Sequence, residues 1–211
     1  MSGIYVFDLD GTLVDSMSRF AWGILSVLDE EGISYDDELL KIVTPLGYTK
    51  TAEYYVEKMG VQDTVENIVS RVREKLVYEY SNNIVLKEGV GEYLHRLHAE
   101  GARLFVLTAS PHIVTDICLQ RNGVYDLFEK VWSVEDFALS KSDTRIFFEV
   151  AKTIGCEPGD IHYFDDNLIA VKNSRAAGLK VYGCYDAHDD HDLAILKETS
   201  DVYVRTFADL L

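Results

Sequence analysis

The stretch Ile4-Tyr5-Val6-Phe7-Asp8-Leu9-Asp10-Gly11-Thr12 sets an uninterrupted apolar run against two acids, a glycine and a hydroxyl. Consecutive Ile, Tyr, Val and Phe suit a parallel strand covered on both faces, where neither side meets water. The glycine lets the chain turn sharply straight after the acids. Asp8 and Asp10 lie two apart, so continued extended geometry would carry both carboxylates to the same side of the strand end.

Five further runs read as buried strands: Arg103 to Thr108, Lys130 to Ser133, Ile161 to Phe164, Lys180 to Gly183 and Asp201 to Val204. Helical patterns separate them at Glu88 to Ala99, Pro111 to Asn122, Asp143 to Ile154 and Asn167 to Ala177. Gly101, Gly123, Gly155 and Gly178 each follow one of these helices, where a left-handed stop is wanted. Strand alternating with helix predicts an α/β fold with a parallel sheet.

Residues 16–83 break the alternation. They hold no credible strand but carry helical stripes at Phe20/Ile24/Val27/Leu28, Leu39/Leu40/Val43 and Val65/Ile68/Val69/Val72/Leu76. The expected organisation is a discontinuous core, 1–15 with 84–211, and an all-helical insert at 16–83; the alternative is a set of helices that pad one face of the sheet.

Composition bounds the function. With 47% apolar and 27% charged residues over 211 positions, the chain is expected to be globular, with one large domain or one domain carrying an insert. A net charge of −16 repels phosphate backbones and anionic lipid, so nucleic-acid and membrane-surface roles are not expected. No apolar stretch approaches the roughly 18 residues of a spanning helix. Cys118, Cys156 and Cys184 have no metal-knuckle or dithiol spacing, and Met1 to Asp8 carries no basic leader segment, so a cytoplasmic protein is expected, a monomer or a weak homodimer.

In an open parallel sheet, ligands bind beyond the carboxyl ends of the strands. Those ends read Asp8-Leu9-Asp10-Gly11-Thr12, Thr108-Ala109-Ser110 and Asp165-Asp166-Asn167. Any one of them alone is an ordinary turn or helix cap. Together they bring four carboxylates to one rim, which could not all stay ionised without a cation, and hard oxygen donors suit Mg²⁺. Two carboxylates in different environments can divide the work of nucleophile and acid/base. Lys141, in the loop before a helix, could neutralise charge there.

Asp8-Leu9-Asp10-Gly11-Thr12-Leu13-Val14-Asp15-Ser16 resembles the first signature of the haloacid dehalogenase-like hydrolase superfamily in its phosphatase form. Thr108 after Leu104-Phe105-Val106-Leu107 resembles the second motif, Lys141 the third and Asp165-Asp166 the fourth, in the same order along nearly the whole chain. The insert resembles the helical cap of the phosphoglycolate phosphatase-like and β-phosphoglucomutase-like subgroup. The resemblance implies a Rossmann-like core and a Mg²⁺-dependent phosphatase for a small phosphorylated metabolite. It makes Asp8 the nucleophile that becomes an aspartyl-phosphate and Asp10 the general acid, then base. Thr108 would bind a phosphoryl oxygen, with Ala109 and Ser110 beside it, and Lys141 would neutralise charge. Asp166, with Asp165, would hold Mg²⁺ alongside Asp8 and the main-chain carbonyl of Asp10.

Two rival functions keep the same residues: a phosphosugar mutase, and a binding protein that lost turnover. The complete set of motif side chains argues against the second. Within the insert, Tyr48, Lys50 and Arg19 are candidate substrate contacts or ordinary solvated positions at helix starts. Ser110 and His112 could touch phosphate or cap the helix after Pro111. The stretch Asp186 to Asp192 could hold a metal or be a plain polar loop.

Overall fold

A computed structural model describes every residue except 1, 2, 37, 44, 45 and 188–191. The chain forms two compact units, Met1–Asp15 with Ile84–Leu211, and Ser16–Asn83.

The first unit is built on six parallel strands: β1 (Ile4–Phe7), β2 (Arg103–Thr108), β3 (Lys130–Ser133), β4 (Ile161–Asp165), β5 (Lys180–Cys184) and β6 (Val202–Val204). Their order across the sheet is β3-β2-β1-β4-β5-β6. The chain runs outward from β1 in one direction, then returns to β1's other edge and runs outward again. That reversal opens a crevice beside the carboxyl end of β1. The architecture is the α/β one with a parallel sheet that the strand and helix alternation predicts, and it is Rossmann-like, as the family resemblance implies.

Successive strand residues point to opposite faces, and both faces are covered. Val6, Phe105, Leu107, Tyr163 and Val181 pack with Phe147, Val150 and Val171 into one hydrophobic core. The opposite face is aromatic: Phe164 lies 4.7 Å from Phe7 and 4.2 Å from Tyr182 between ring centroids, with Tyr93 and Phe207 against it. This double coverage explains why the strands read as unbroken apolar runs.

Numbering every helix of the chain in order, this unit contains α5 (Val90–Ala99), α6 (His112–Arg121), α7 (Arg145–Ile154), α8 (Leu168–Ala176) and α9 (Leu193–Thr199). The four expected glycine stops adopt φ between 71° and 93°. The four expected helices each begin one or two residues later than expected, and in two of them a polar side chain receives the first amides from outside. Asn167 accepts from the N–H groups of Ile169 and Ala170, and Asp143 accepts from Arg145 N–H. The last strand begins at Val202, one residue later than expected, because the Asp201 carboxylate is taken by Val181 N–H and Arg175.

The second unit holds α1 (Met17–Glu31), α2 (Glu38–Val43), α3 (Gly47–Tyr54), which continues as a π-helical turn at Tyr55–Met59, and α4 (Val65–Asn82). α1 buries Ile24, Val27 and Leu28, and α4 buries Ile68, Val72, Leu76 and Tyr80, as their stripes require. The buried Tyr55 hydroxyl donates to Ile24 O at 3.1 Å. Arg71 gathers Glu30, Glu31 and Asp63 at 2.7, 2.9 and 3.1 Å. Among the described residues, no helix is long and apolar enough to cross a membrane.

Candidate active site

The site begins where β1 ends. Asp8 N–H donates to Phe164 O at 2.8 Å, which holds the first residue past the strand against β4. Since Phe7 pairs with Phe164 in the register, Asp8 comes beside Asp165, the last residue of β4. Carboxylate oxygens of Asp8, Asp165 and Asp166 lie within 4.8 Å of one another. Lys141 reaches this group from the loop before α7, with Nζ 2.6 Å from Asp8 Oδ1 and 2.8 Å from Asp165 Oδ2. The loop is tied down behind it, where Asn173 Nδ2 donates to Lys141 O at 3.3 Å.

Asp165 is fully buried and heavily bonded. Its Oδ2 accepts from Lys141 and from the Tyr163 hydroxyl, and its Oδ1 accepts from Asn167 N–H at 2.8 Å. Asp166 accepts from Thr12 Oγ1 at 2.9 Å. A Cβ on Gly11, whose φ is +78°, would collide with the Asp166 carboxylate, so only glycine lets the β1 loop approach this closely.

The expected ring of four carboxylates is a group of three. Extended geometry stops at Asp8, because Leu13 N–H and Val14 N–H both bond Leu9 O and curl the loop. Asp10 is not one of the three; its Oδ2 accepts from Ser110 Oγ at 2.6 Å. Ser110 N–H in turn donates to Thr108 Oγ1 at 3.0 Å, and Thr108 is buried at the end of β2. The Ser110 side chain thus bonds Asp10, and α6 has no side-chain cap bond. Ala109, between them, is exposed.

Charge in the group is badly balanced: three carboxylates face one ammonium. Burial, then the neighbouring charges of Asp165 and Asp10, push the Asp8 carboxyl up to about 7 despite Lys141. Burial, with Asp165 and Asp8 beside it, also holds Asp166 well above the carboxylate range. Burial works against the Lys141 charge, yet Asp165 and Asp8 outweigh it and keep the ammonium above its ordinary range. Oxygen donors this crowded fit a hard divalent cation, which would relieve the repulsion.

Arg19, Tyr48 and Lys50 belong to the helical unit. There, Arg19 Nε is 3.6 Å from the buried Glu79 carboxylate, the Tyr48 ring is 5.9 Å from that of Phe20, and Lys50 is exposed on α3. His112 sits between Asp136 at 2.9 Å and Asp116 at 3.4 Å. In the acidic stretch after β5, Asp186 pairs with Lys87, while residues 188–191 lie outside the described residues, as do residues 44 and 45.

Three contributors escaped the sequence reading. Thr12 stood within the first motif without a role. Tyr163 shares a strand face with Asp165 by i, i+2 spacing, a signal that could have found it. Lys87 donates to Gly11 O and is 76 residues away in sequence, so no local pattern marks it.

The family model for haloacid dehalogenase-like hydrolases matches residues 5–184. The chain is 25% identical to validoxylamine A 7'-phosphate phosphatase of Streptomyces hygroscopicus subsp. limoneus, over 96% of each chain. It is 25% identical to phosphoglycolate phosphatase of Haemophilus influenzae, over 97% of this chain and 95% of that one. In structure it resembles CbbY from Rhodobacter sphaeroides in complex with phosphate, with a TM-score of 0.82, 18% identity, and coverage of 100% and 96%. The motif residues gathered at the carboxyl edge and the match across most of the length agree: this chain belongs to the haloacid dehalogenase-like hydrolase family.

Proposed function

We propose that this chain is a Mg²⁺-dependent phosphomonoester hydrolase that acts through an aspartyl-phosphate on a small phosphorylated metabolite. The observation that carries the reading is the buried group of Asp8, Asp165 and Asp166 with Lys141 bridging two of them at the carboxyl edge of the sheet. Relatives named as phosphatases support it. Members of the family typically use a divalent metal.

Asp8 and Asp166 would hold the ion, together with the main-chain carbonyl of Asp10. Asp165 already accepts three hydrogen bonds, leaving about one of a carboxylate's four lone-pair sites, so its main work is to hold Lys141. When bound, the cation keeps these carboxylates ionised and offsets negative charge on the phosphoryl oxygens.

Asp8 attacks phosphorus, an Asp8 O–P bond forms, and the ester P–O bond breaks. The leaving oxygen takes a proton from Asp10, which Ser110 orients. Thr108 Oγ1 accepts from Ser110 N–H, so its own proton is available to a phosphoryl oxygen. Lys141 neutralises the charge that builds there. Water then attacks the aspartyl-phosphate and gives a proton to Asp10; the Asp8 O–P bond breaks, and phosphate leaves with both groups restored.

The helical unit, Ser16–Asn83, is assigned the part of a cap that selects the substrate. The −16 net charge and three unpaired cysteines suit a cytoplasmic enzyme acting on a small molecule. The test is release of phosphate from p-nitrophenyl phosphate. Wild-type protein should turn over with Mg²⁺ and stop with chelator, and Asp8→Asn should be inactive though folded; turnover by Asp8→Asn would overturn the reading.

A further inference from the structure

Lys87 lies in the segment that follows the helical unit in sequence, yet its side chain ends beneath the first-motif loop. Its Nζ donates to Gly11 O at 2.6 Å, to Tyr185 O at 2.6 Å and to Asp186 Oδ2 at 3.1 Å. The side chain is 21% exposed and that of Asp186 only 3%. The backbone is held as well, since Lys87 N–H donates to Leu13 O at 2.9 Å and Val14 bridges to Leu86. An ammonium with three acceptors in this setting has all its protons committed. Pairing with Asp186 also cancels its charge, so it adds little electrostatic relief to the carboxylate group. What remains is placement.

The Gly11 peptide is where placement matters. Gly11 follows Asp10, adopts φ +78°, and comes close enough to Asp166 that a Cβ would collide. The next residue, Thr12, donates to Asp166. Fixing Gly11 O therefore fixes both the turn that carries Asp8 and Asp10 and the contact that sets Asp166 against it. The geometry points to Lys87 as a positioning residue for the reaction, an ammonium strut that holds the nucleophile loop and Asp166 at metal-binding distance. The inference rests on the proposed phosphatase reading for its effect on turnover, but not for its effect on metal binding.

A cavity of about 170 Å³ is lined in part by Thr12, Lys87, Cys184, Tyr185 and Arg205. It leaves room for a guanidinium, or for a small amine when the side chain is cut back. This makes the strut testable by replacement in trans.

The experiment compares wild type, Lys87→Ala and Lys87→Arg, with p-nitrophenyl phosphate turnover and Mg²⁺ half-saturation by thermal shift as separate readouts. Small displacements of a reacting group cost orders of magnitude in rate, so Lys87→Ala should lose about tenfold or more in kcat with KM within about twofold. It should also need about tenfold more Mg²⁺, because the loop no longer holds its ligands together. Lys87→Arg should keep most of both. Propylammonium should restore part of the loss in Lys87→Ala, whereas tetramethylammonium, which has charge and bulk but no N–H to donate, should not. Unchanged Mg²⁺ half-saturation in a folded Lys87→Ala protein, or equal rescue by both amines, overturns the inference. If wild type fails to hydrolyse the ester, the phosphatase reading falls alone and the Mg²⁺ readout still decides the strut.

Discussion

Replacing Lys141 by Met removes a cation that touches two members of the carboxylate group. The ammonium lies 2.6 Å from Asp8 and 2.8 Å from Asp165, and the three side chains are 12%, 7% and 0% exposed. Removing one partner of a buried ion pair costs about 3–5 kcal/mol, because the other charge stays behind without compensation. In a chain of this size each kcal/mol moves the melting temperature by roughly 2–4 °C, so metal-free Lys141→Met should melt roughly 6–20 °C below wild type near pH 8. The sign of the pH dependence follows from the carboxylates. The folded pKa values of Asp8 and Asp166 lie above the unfolded ones, to about 7 for Asp8 with Lys141 present, and loss of the ammonium raises both further. A folded state that binds more protons than the unfolded state loses stability as pH rises through that window. The deficit should therefore shrink toward about pH 5, where these carboxyls are protonated in the folded protein. Differential scanning calorimetry in chelator at both pH values reads this directly. A melting temperature within about 2 °C of wild type near pH 8, or a deficit that grows on acidification, would refute the claim that Lys141 balances buried charge.

Mg²⁺ should raise the wild-type melting temperature more near pH 8 than near pH 5.5, since at the lower pH the ion must displace protons from Asp8 and Asp166; calorimetry at matched Mg²⁺ checks it. Gly11→Ala should abolish Mg²⁺-dependent stabilisation and turnover together, because the added methyl group meets the Asp166 carboxylate at a positive φ; retained Mg²⁺ response would contradict this. Ser110→Ala should lower kcat by about tenfold with little change in folding, because Asp10 loses the hydrogen bond, worth about 0.5–1.5 kcal/mol, that orients its carboxyl; an unchanged kcat would contradict this. With a hexose 1-phosphate and its bisphosphate supplied together, free phosphate should appear and not the 6-phosphate, a split that a coupled assay resolves.

The fold was legible because each strand is covered on both sides. Phe7 and Val6 face different cores, and so do Phe164 and Tyr163, which produces apolar runs that no amphipathic helix would show. Boundaries shift where a side chain takes over a backbone role: Asn167 and Asp143, expected as first helical residues, stand just outside, and Asp201, expected within the last strand, caps the neighbouring one. In the site, Asp8, Asp165 and Asp166 follow from strand ends and register. The direction of Asp10 does not, because it depends on Leu9 O receiving two amides and curling the loop. Ser110 was legible as a neighbour of Thr108, while its bond to Asp10 was not, since it spans adjacent strand ends from separate parts of the chain. Lys87 had no local pattern at all.

The proposed chemistry depends on a carboxylate oxygen of Asp8 being the atom that meets phosphorus. Fluorine NMR of the protein with Mg²⁺ and beryllofluoride, which mimics an aspartyl-phosphate, measures that most directly. Wild type should show bound-fluoride resonances that vanish in Asp8→Asn and in chelator. Absence of the adduct in folded wild type with Mg²⁺, or its persistence in Asp8→Asn, would contradict the assignment.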